Sequence, residues 1–365
     1  MDDVAIEKIS YTQLKGNYNC VYKDDFGVLS GYLTANVCKT LLTNPNLIDD
    51  TQIALNLVVC NGSIVGRNML MPTCIKVKNA FLRGRTGGSY EIVDECRGKG
   101  LGTKIFKESI FNEENSFYLG QLYSKAAAAI IDKLGLTVFH LPLFFKLCNV
   151  RSVLEAKGFK GILLRGMTKI LNIPLKIFDL VNILKMKELK KRYVIKKESV
   201  IPRWVEVLTV YDDHDFAEIH DCKWLQWCLD NRFTNHPRDT QAFFAVYDKK
   251  GEPKGFFMTK ERFEKKQGIY RNLIRGFVVE WGSFDQSQLS EADLNLMAVS
   301  TFGKDVDNIT TILSDSCYSK TLKRMGFLRH GNYQMSIKLG QMEYEGIRNP
   351  NKWRIRYGGC NTIIL

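Results

Sequence analysis

Arg97-Gly98-Lys99-Gly100-Leu101-Gly102-Thr103-Lys104 has the residue types and spacing of an anion-binding loop. Three glycines at alternate positions leave a row of backbone N–H groups without side-chain cover. The helix-like run that follows, Thr103 to Asn112, adds its own unpaired N–H groups and the positive end of its dipole. A phosphate or pyrophosphate is the expected occupant, with Arg97 and Lys99 adding positive charge. The loop is not a P-loop, which needs Gly-x-x-x-x-Gly-Lys followed by Ser or Thr. Nor is it a Rossmann fingerprint, which opens the first βαβ unit with Gly-x-Gly-x-x-Gly. Here the spacing is Gly-x-Gly-x-Gly, about a hundred residues into the chain.

The neighbouring segments must position this loop. Ser89 to Cys96 reads as an extended run leading into it. Upstream, the apolar run Leu55 to Cys60 meets Asn61-Gly62 and then Ser63 to Met71. Asn-Gly between two apolar runs predicts a hairpin, because both residues tolerate positive φ. Downstream, Phe117 to Leu122 reads as a strand and Ser124 to Leu134 as a helix of strong formers. Gly135 stands where a helix C-cap would, and Leu136 to Phe139 reads as the next strand.

The arrangement Arg-x-x-Gly-x-Gly, carried by Arg97, Gly100 and Gly102 within this order of elements, resembles the acyl-CoA pyrophosphate loop of the GNAT acetyltransferase superfamily. The helix 124–134 is similar to the family's helix that ends in Lys-Leu-Gly-Phe beside the CoA sulfur, with Leu136 replacing the Phe. Ser124 falls where the family often has Asn, and Ile131 where it often has a Tyr general acid. Asn149 to Phe159 also ends in Lys-Gly-Phe, but the earlier helix leaves a normal spacing after the glycine loop. The resemblance implies an α/β (α+β) fold, with a mixed, mostly antiparallel twisted sheet flanked by helices. It implies acetyl-CoA as co-substrate, with cofactor-binding residues Ile92, Val93, Arg97, Gly98, Lys99, Gly100, Leu101, Gly102, Thr103 and Ser124. Ile92 and Val93 would pair with the pantetheine through their backbone.

Acetyl transfer to an amine needs no protein nucleophile. The protein must hold the thioester, polarise its carbonyl and accept a proton. Tyr90 and Glu91 lie on opposite faces of one strand, so one of them points at the acceptor. Glu91 is the expected catalytic base, since a carboxylate can accept the proton directly or through water. Tyr123, at a strand-to-helix turn, is the expected acid in place of Ile131. Cys96 has no histidine beside it in sequence to activate it and reads as a buried thiol.

The second half repeats this order without the loop. Residues 241–249 and 256–259 predict a hairpin, 274–281 an extended run, 291–302 a helix, 308–313 a strand, 319–325 a helix ending at Gly326-Phe327, and 333–339 a strand. Tyr318-Ser319-Lys320 echoes Tyr123-Ser124-Lys125. Ser283 to Ser290 stands in place of the glycine loop, and its Asp285 would repel a pyrophosphate. The expected organisation is a GNAT-like acyl-CoA-binding domain over 1–175, a basic helical linker over 176–200, a degenerate GNAT-like domain over 201–340 and a C-terminal tail over 341–365.

The 365 residues carry 52 Lys and Arg against 39 Asp and Glu, a net charge of +13. A chain of this length suggests two domains. The densest basic excess, at 176–200, reads as a solvated helix, with anionic lipid or nucleic acid as the alternatives. It lacks the interleaved aromatics of a base-stacking surface, which argues against nucleic acid. No run approaches the 18 or more apolar residues of a membrane helix, and Met1-Asp2-Asp3 does not begin a signal peptide. The ten cysteines form no Cys-x-x-Cys and read as reduced thiols of a cytoplasmic protein. The five histidines show no metal spacing, and His214 and His220 read as part of a solvated loop. The expected function is an acetyl-CoA-dependent N-acyltransferase acting on a primary amine. A catalytically inactive acyl-CoA-binding module is the alternative, and a tRNA-dependent aminoacyl transferase ranks below both.

Overall fold

Asn61 and Gly62 take φ of 51° and 80° and turn the chain between two apolar strands, as their sequence demands. The computed structural model describes residues 3–16, 18–111, 117–121, 124–234, 236–312, 319–340 and 344–359, without the side chains of Phe178 and Gln267. The first half runs β1 (Val4–Ser10), α1 (Tyr11–Lys15), α2 (Ala35–Leu42), β2 (Ile53–Cys60), β3 (Ser63–Val77), β4 (Ala80–Ile92), α3 (Leu101–Ile110), β5 (Phe117–Gln121), α4 (Lys125–Lys133) and β6 (Thr137–Leu147). Helices α5 (Arg151–Ala156) and α6 (Gly161–Arg192) follow. The second half runs β7 (Tyr193–Glu198), α7 (Val205–Thr209), β8 (Phe216–Glu218), α8 (Cys222–Asp230), β9 (Thr240–Asp248), β10 (Pro253–Gln267), β11 (Tyr270–Ser283), α9 (Glu291–Val299), β12 (Asn308–Ile312), α10 (Ser319–Arg324), β13 (Leu328–Leu339) and β14 (Trp353–Arg354).

The strands form a single sheet in the order β1-β2-β3-β4-β5-β13-β6-β12-β11-β10-β9-β7, with β8 joining β3 and β14. Along this path only β4–β5 and β11–β12 run parallel; the other neighbours are antiparallel, giving the mixed, mostly antiparallel sheet expected from the sequence. The order reads alike from both ends. β13 is inserted beside β5 of the first half, and β6 reaches across to β12 of the second. The two halves therefore exchange a strand, and the β6–β13 pair is the seam.

Amphipathic spacing places the helices. In α3, Leu101, Ile105, Phe106 and Ile110 are buried on one face. Phe106 and Ile110 join Leu70, Tyr118, Ala127, Ile131 and Leu136 in a small core of their own. The larger core runs through both halves. The 176–200 segment is the C-terminal part of α6 followed by β7, which edges the sheet against β9.

Residues 344–359, within the segment expected as a C-terminal tail, run into the core. Trp353, Ile355 and Tyr357 are buried, and so are Arg354 and Arg356. The charges are held by Glu280 of β11, which is fully buried. Arg354 Nη2 lies 2.5 Å from its carboxylate and Arg356 Nε 3.4 Å. His220 Nδ1 bonds the same carboxylate, while His220 Nε2 lies 3.3 Å from Glu218. The imidazole stacks on Trp224 at 3.8 Å. The solvated loop expected around His220 is thus a buried charge cluster, because three chain segments distant in sequence converge there. Burial alone would raise the Glu280 carboxyl, but Arg354, His220 and Arg356 together hold it below the usual range. Burial alone would lower His220, but the two glutamates raise it.

Glu280→Gln keeps the shape but leaves two guanidinium groups and an imidazole without their shared counter-charge. Breaking one partner of a buried ion cluster costs about 3–5 kcal/mol. Denaturant unfolding of this variant should show a loss of that size. An unchanged midpoint and slope would mean that the cluster does not hold the C-terminal segment in place.

Candidate functional site

The parallel contact between β4 and β5 is short. Arg85 faces Tyr118, Thr86 faces Leu119, Gly87 faces Gly120, and there the pairing stops. β4 continues to Ile92, so its β5-facing edge beyond Gly87 has no strand partner among the described residues. β3 still pairs with β4 on the other side, with one extra β4 residue between Met69↔Gly88 and Arg67↔Glu91. That bulge holds Ser89 at φ 46°. A bulge twists its strand and re-aims the side chains around it.

The wedge opens into a cavity of about 370 Å³. Gly88, Ser89 and Tyr90 of β4 line it, with Phe106, Tyr118, Gln121, Ser124 and Ala127 on the same half. Lys260, Arg262, Arg275 and Phe277 face it from the second half, and Tyr357 of the C-terminal segment closes one wall. Tyr90 packs on Phe106 with ring centroids 4.7 Å apart. A Cβ at position 102 would collide with the Tyr90 hydroxyl, so glycine lets α3 approach the strand.

The glycine loop follows directly. Gly98 and Gly100 take φ of 80° and 79°, a conformation that glycine adopts without strain. Gly100 is the N-cap of α3, and no side chain caps that end. The first backbone bond there is Lys104 N to Gly100 O, which leaves the N–H groups ahead of it pointing out of the helix. Arg97 braces the turn, with its Nε 3.2 Å from Ile92 O and its Nη1 2.6 Å from Asp94. Lys99 is exposed and Thr103 half-buried. The side chains of Ile92, Val93 and Leu101 are buried, so Ile92 and Leu101 can offer a ligand only their backbone, and Val93 not even that, since its N–H donates to Val65 O and its carbonyl accepts from Cys96 N. Ser124 caps α4, accepting from Ala127 N at 3.3 Å.

The two residues singled out for proton transfer fare differently. Glu91 does not line the cavity. Its carboxylate is 2.6 Å from Arg67, whose guanidinium also bonds Val28 O and sits 4.5 Å from the Tyr32 ring. Tyr90 is the member of the pair that the strand turns to the cavity. Burial raises its hydroxyl, and Arg97 counteracts this in part. Tyr123 lies outside the described residues. Ile131 is buried in the small core beside Phe106 and Tyr118.

The cations of the opposite wall are not among the residues that the glycine-loop pattern points to. Lys260 is buried, and burial together with Arg262 lowers its ammonium to about 7, against the opposing pull of Asp239, Cys228 and Glu264. Arg275 pairs with Glu264 at 3.0 Å, and Arg262 lies 3.8 Å from it. The signal was the strand period: in Lys260-Glu261-Arg262-Phe263-Glu264 the first, third and fifth residues share a face.

The matching wedge of the second half is filled. Pairing of β11 with β12 stops at Phe277↔Thr310, and β11 carries a one-residue bulge at Val279 between Thr259↔Val278 and Met258↔Glu280. Gly358 N donates to Val279 O at 2.8 Å and Arg356 Nε to Trp281 O at 3.2 Å. The helix that follows, α9, is capped by Ser290 and Asp293 and begins with Glu291. Among the described residues no cluster of His, Cys, Asp or Glu could hold a metal ion, and the eight cysteines described are free.

No protein-family model matches the chain, and no curated protein matches its sequence. Solved structures do match its fold. A Saccharomyces cerevisiae N-myristoyltransferase with bound myristoyl-CoA and inhibitors aligns with TM-score 0.58 and 12% identity over 99% of this chain and 85% of that one. The same enzyme with bound myristoyl-CoA aligns with TM-score 0.56 and 11% identity, over 92% and 82% of the two chains. A protein of Enterococcus faecalis V583 described as a probable N-acyltransferase aligns with TM-score 0.53 and 10% identity, over 93% and 73%. At such identity the likeness speaks of architecture, and the architecture is the GNAT fold.

Proposed function

We propose that the chain is a CoA-thioester-dependent N-acyltransferase that moves an acetyl group to a primary amine. The observation that carries this reading is the parting of β4 from β5 at Gly87, directly ahead of two left-handed glycines and an uncapped helix. An acyl-CoA needs those features in that order: unpaired strand backbone for its amide-bearing arm, then convergent N–H groups for its pyrophosphate. Gly98 to Thr103 take the pyrophosphate through backbone N–H groups, with Arg97 and Lys99 supplying charge. Ile92 offers backbone to the pantetheine, whereas the Val93 N–H and carbonyl are already bonded to Val65 O and Cys96 N, and Ser124 is proposed to stand near the sulfur.

In the reaction the amine nitrogen attacks the thioester carbonyl. A C–N bond forms, the C–S bond breaks, a proton leaves the nitrogen and the departing sulfur takes one up. Lys260, held near neutrality in the cavity wall, is the proposed proton acceptor. Asn68 lines the cavity as well, with its amide on Ser109 Oγ at 2.8 Å. A polar group there favours a short acyl chain over the myristoyl group of the S. cerevisiae enzyme, and a series of acyl-CoA chain lengths tests the choice. The second half is proposed as a degenerate repeat that holds no CoA, since its wedge carries Arg356 and Gly358 and its helix N-terminus carries acids. Ile131 favours a second reading, an acyl-CoA-binding module without turnover, because an aliphatic side chain occupies the family's acid position.

Gly100→Asp puts a side chain on a left-handed residue and a charge against two phosphates. CoA affinity measured by calorimetry should fall tenfold or more, since hydrogen bonds to charged groups contribute roughly 1.5–3 kcal/mol each. Undiminished affinity in a folded variant would remove the cofactor assignment.

Lys260→Met should lower kcat by about 10²–10⁴-fold while CoA affinity changes little. Lysine is a base only when neutral, and its ammonium here is lowered to about 7. The wild-type rate should therefore climb as pH rises through about 7 and level off above it. A profile flat across neutrality would exclude Lys260. Glu91→Gln and Tyr123→Phe complete the set: a large loss of kcat at unchanged CoA affinity in either would move the proton path to that residue.

A further inference from the structure

Helix α6 is 32 residues long and touches the body along one seam. Asn182, Met186 and Leu189 are buried, Asp179 lies 2.7 Å from Lys146 and Lys185 lies 2.6 Å from Asp293. The opposite face is apolar and uncovered. Ile170, Ile173, Ile177, Leu180 and Leu184 recur every three or four residues, each between 54% and 63% exposed. That spacing lines one side of a helix. Leu163, Val181 and Ile183 broaden the stripe, and Ile162 at its start is 88% exposed. From Ile162 to Leu184 it extends roughly 33 Å at 1.5 Å per residue. Soluble surfaces rarely leave so continuous an apolar strip uncovered.

The charges beside it have one sign. Arg165, Lys169, Lys176 and Lys187 are exposed, as are the three consecutive cations at 190–192, against the single exposed carboxylate of Glu188. No carboxylate among the described residues pairs with Arg165, Lys169, Lys176 or Lys187. At 100° per residue these four fall on one flank of the stripe.

We infer that α6 lies on an anionic phospholipid surface, its aliphatic stripe sunk among the acyl chains and its cations on the headgroups. A long helix with a wide apolar face and a lysine- and arginine-rich flank is the build of an interfacial helix. No helix of the described residues is long and apolar enough to cross a membrane, so α6 lies on the surface. A second copy of the chain fits less well. Pairing the stripe with itself would gather cations along both helices with almost no carboxylate to face them. The apolar face is also broader than the two-position seam of a helix pair. The inference does not depend on acyl transfer.

Sedimentation of the full chain with vesicles tests it, comparing phosphatidylcholine alone with a phosphatidylcholine–phosphatidylserine mixture. Binding should be strong to the mixture, weak to phosphatidylcholine and reduced by salt. The triple variant Arg165→Gln, Lys169→Gln, Lys176→Gln should bind the mixture about a hundredfold more weakly, since each cation near an anionic surface strengthens binding roughly fivefold. Ile173→Asn with Ile177→Asn should abolish insertion while the melting temperature holds, because neither side chain packs in the core. Three results would overturn the inference: no binding to the mixture, binding unaltered in both variants, or a wild-type dimer in solution that the asparagine variant turns into monomer.

Discussion

Backbone that leaves a ladder must find another partner, and this fold makes that demand twice. Buried N–H and C=O groups are costly when unpaired, yet β4 parts from β5 after Gly87 and β11 parts from β12 after Phe277. Each departure comes with a one-residue bulge on the departing strand. In the second half the chain answers the demand itself: Gly358 bonds the bulged Val279 and Arg356 bonds Trp281. In the first half the corresponding edge faces the cavity. The difference between the two wedges separates the half whose wedge is filled by its own chain from the half proposed to bind a ligand.

Filling the second wedge with arginines has consequences deeper in the molecule. Arg354 and Arg356 enter a space that an apolar chain could have occupied, and the fold neutralises them with Glu280, Asp212 and Glu291. That cluster draws in His220 and Glu218, and through β8 it ties the C-terminal segment to β3 of the first half. The strand exchange works in the same direction. Because β13 lies between β5 and β6, neither half has a complete sheet without the other. The wall opposite the splayed strand is therefore held rigidly against it, which a cavity built from both halves requires.

Local chemistry was legible in the sequence and long-range pairing was not. Asn61-Gly62, the alternate glycines of 98–102 and the Gly135 stop each act within a few residues, and each is where the spacing put it. The strand exchange left no trace, because nothing in Thr137–Leu147 or Leu328–Leu339 says which half supplies the neighbour. The wedge-filling role of residues 353–359 was hidden for the same reason: Arg354 and Arg356 look like surface charges until Glu280 meets them. From the sequence only the basic C-terminal part of α6 stands out, since a helix with apolar residues both on its seam and on its outer face lacks the single apolar stripe of the usual pattern. Chemical type favours Glu91 over Tyr90, but the face each residue occupies is set by the bulge at Ser89, which a simple two-residue period does not include.

The strand order, alike from both ends, also gives a physical reason for the cavity's mixed walls. Lys260, Arg262 and Arg275 sit on β10 and β11, the strands equivalent to β3 and β4. Arg275 faces Asn308 at the start of the short parallel contact in the second half, as Arg85 faces Tyr118 in the first. In a half that bound its own ligand, such cations would serve that ligand. Here Tyr357 lies on Phe277 with ring centroids 5.5 Å apart and seals that side, and the cations line the first half's cavity. Glu264 balances the two arginines, whereas Lys260 is deep enough for burial to bring its ammonium near neutrality. On the proposed reading, the half that does not hold CoA contributes the group that takes the proton, and its filled wedge keeps that group dry.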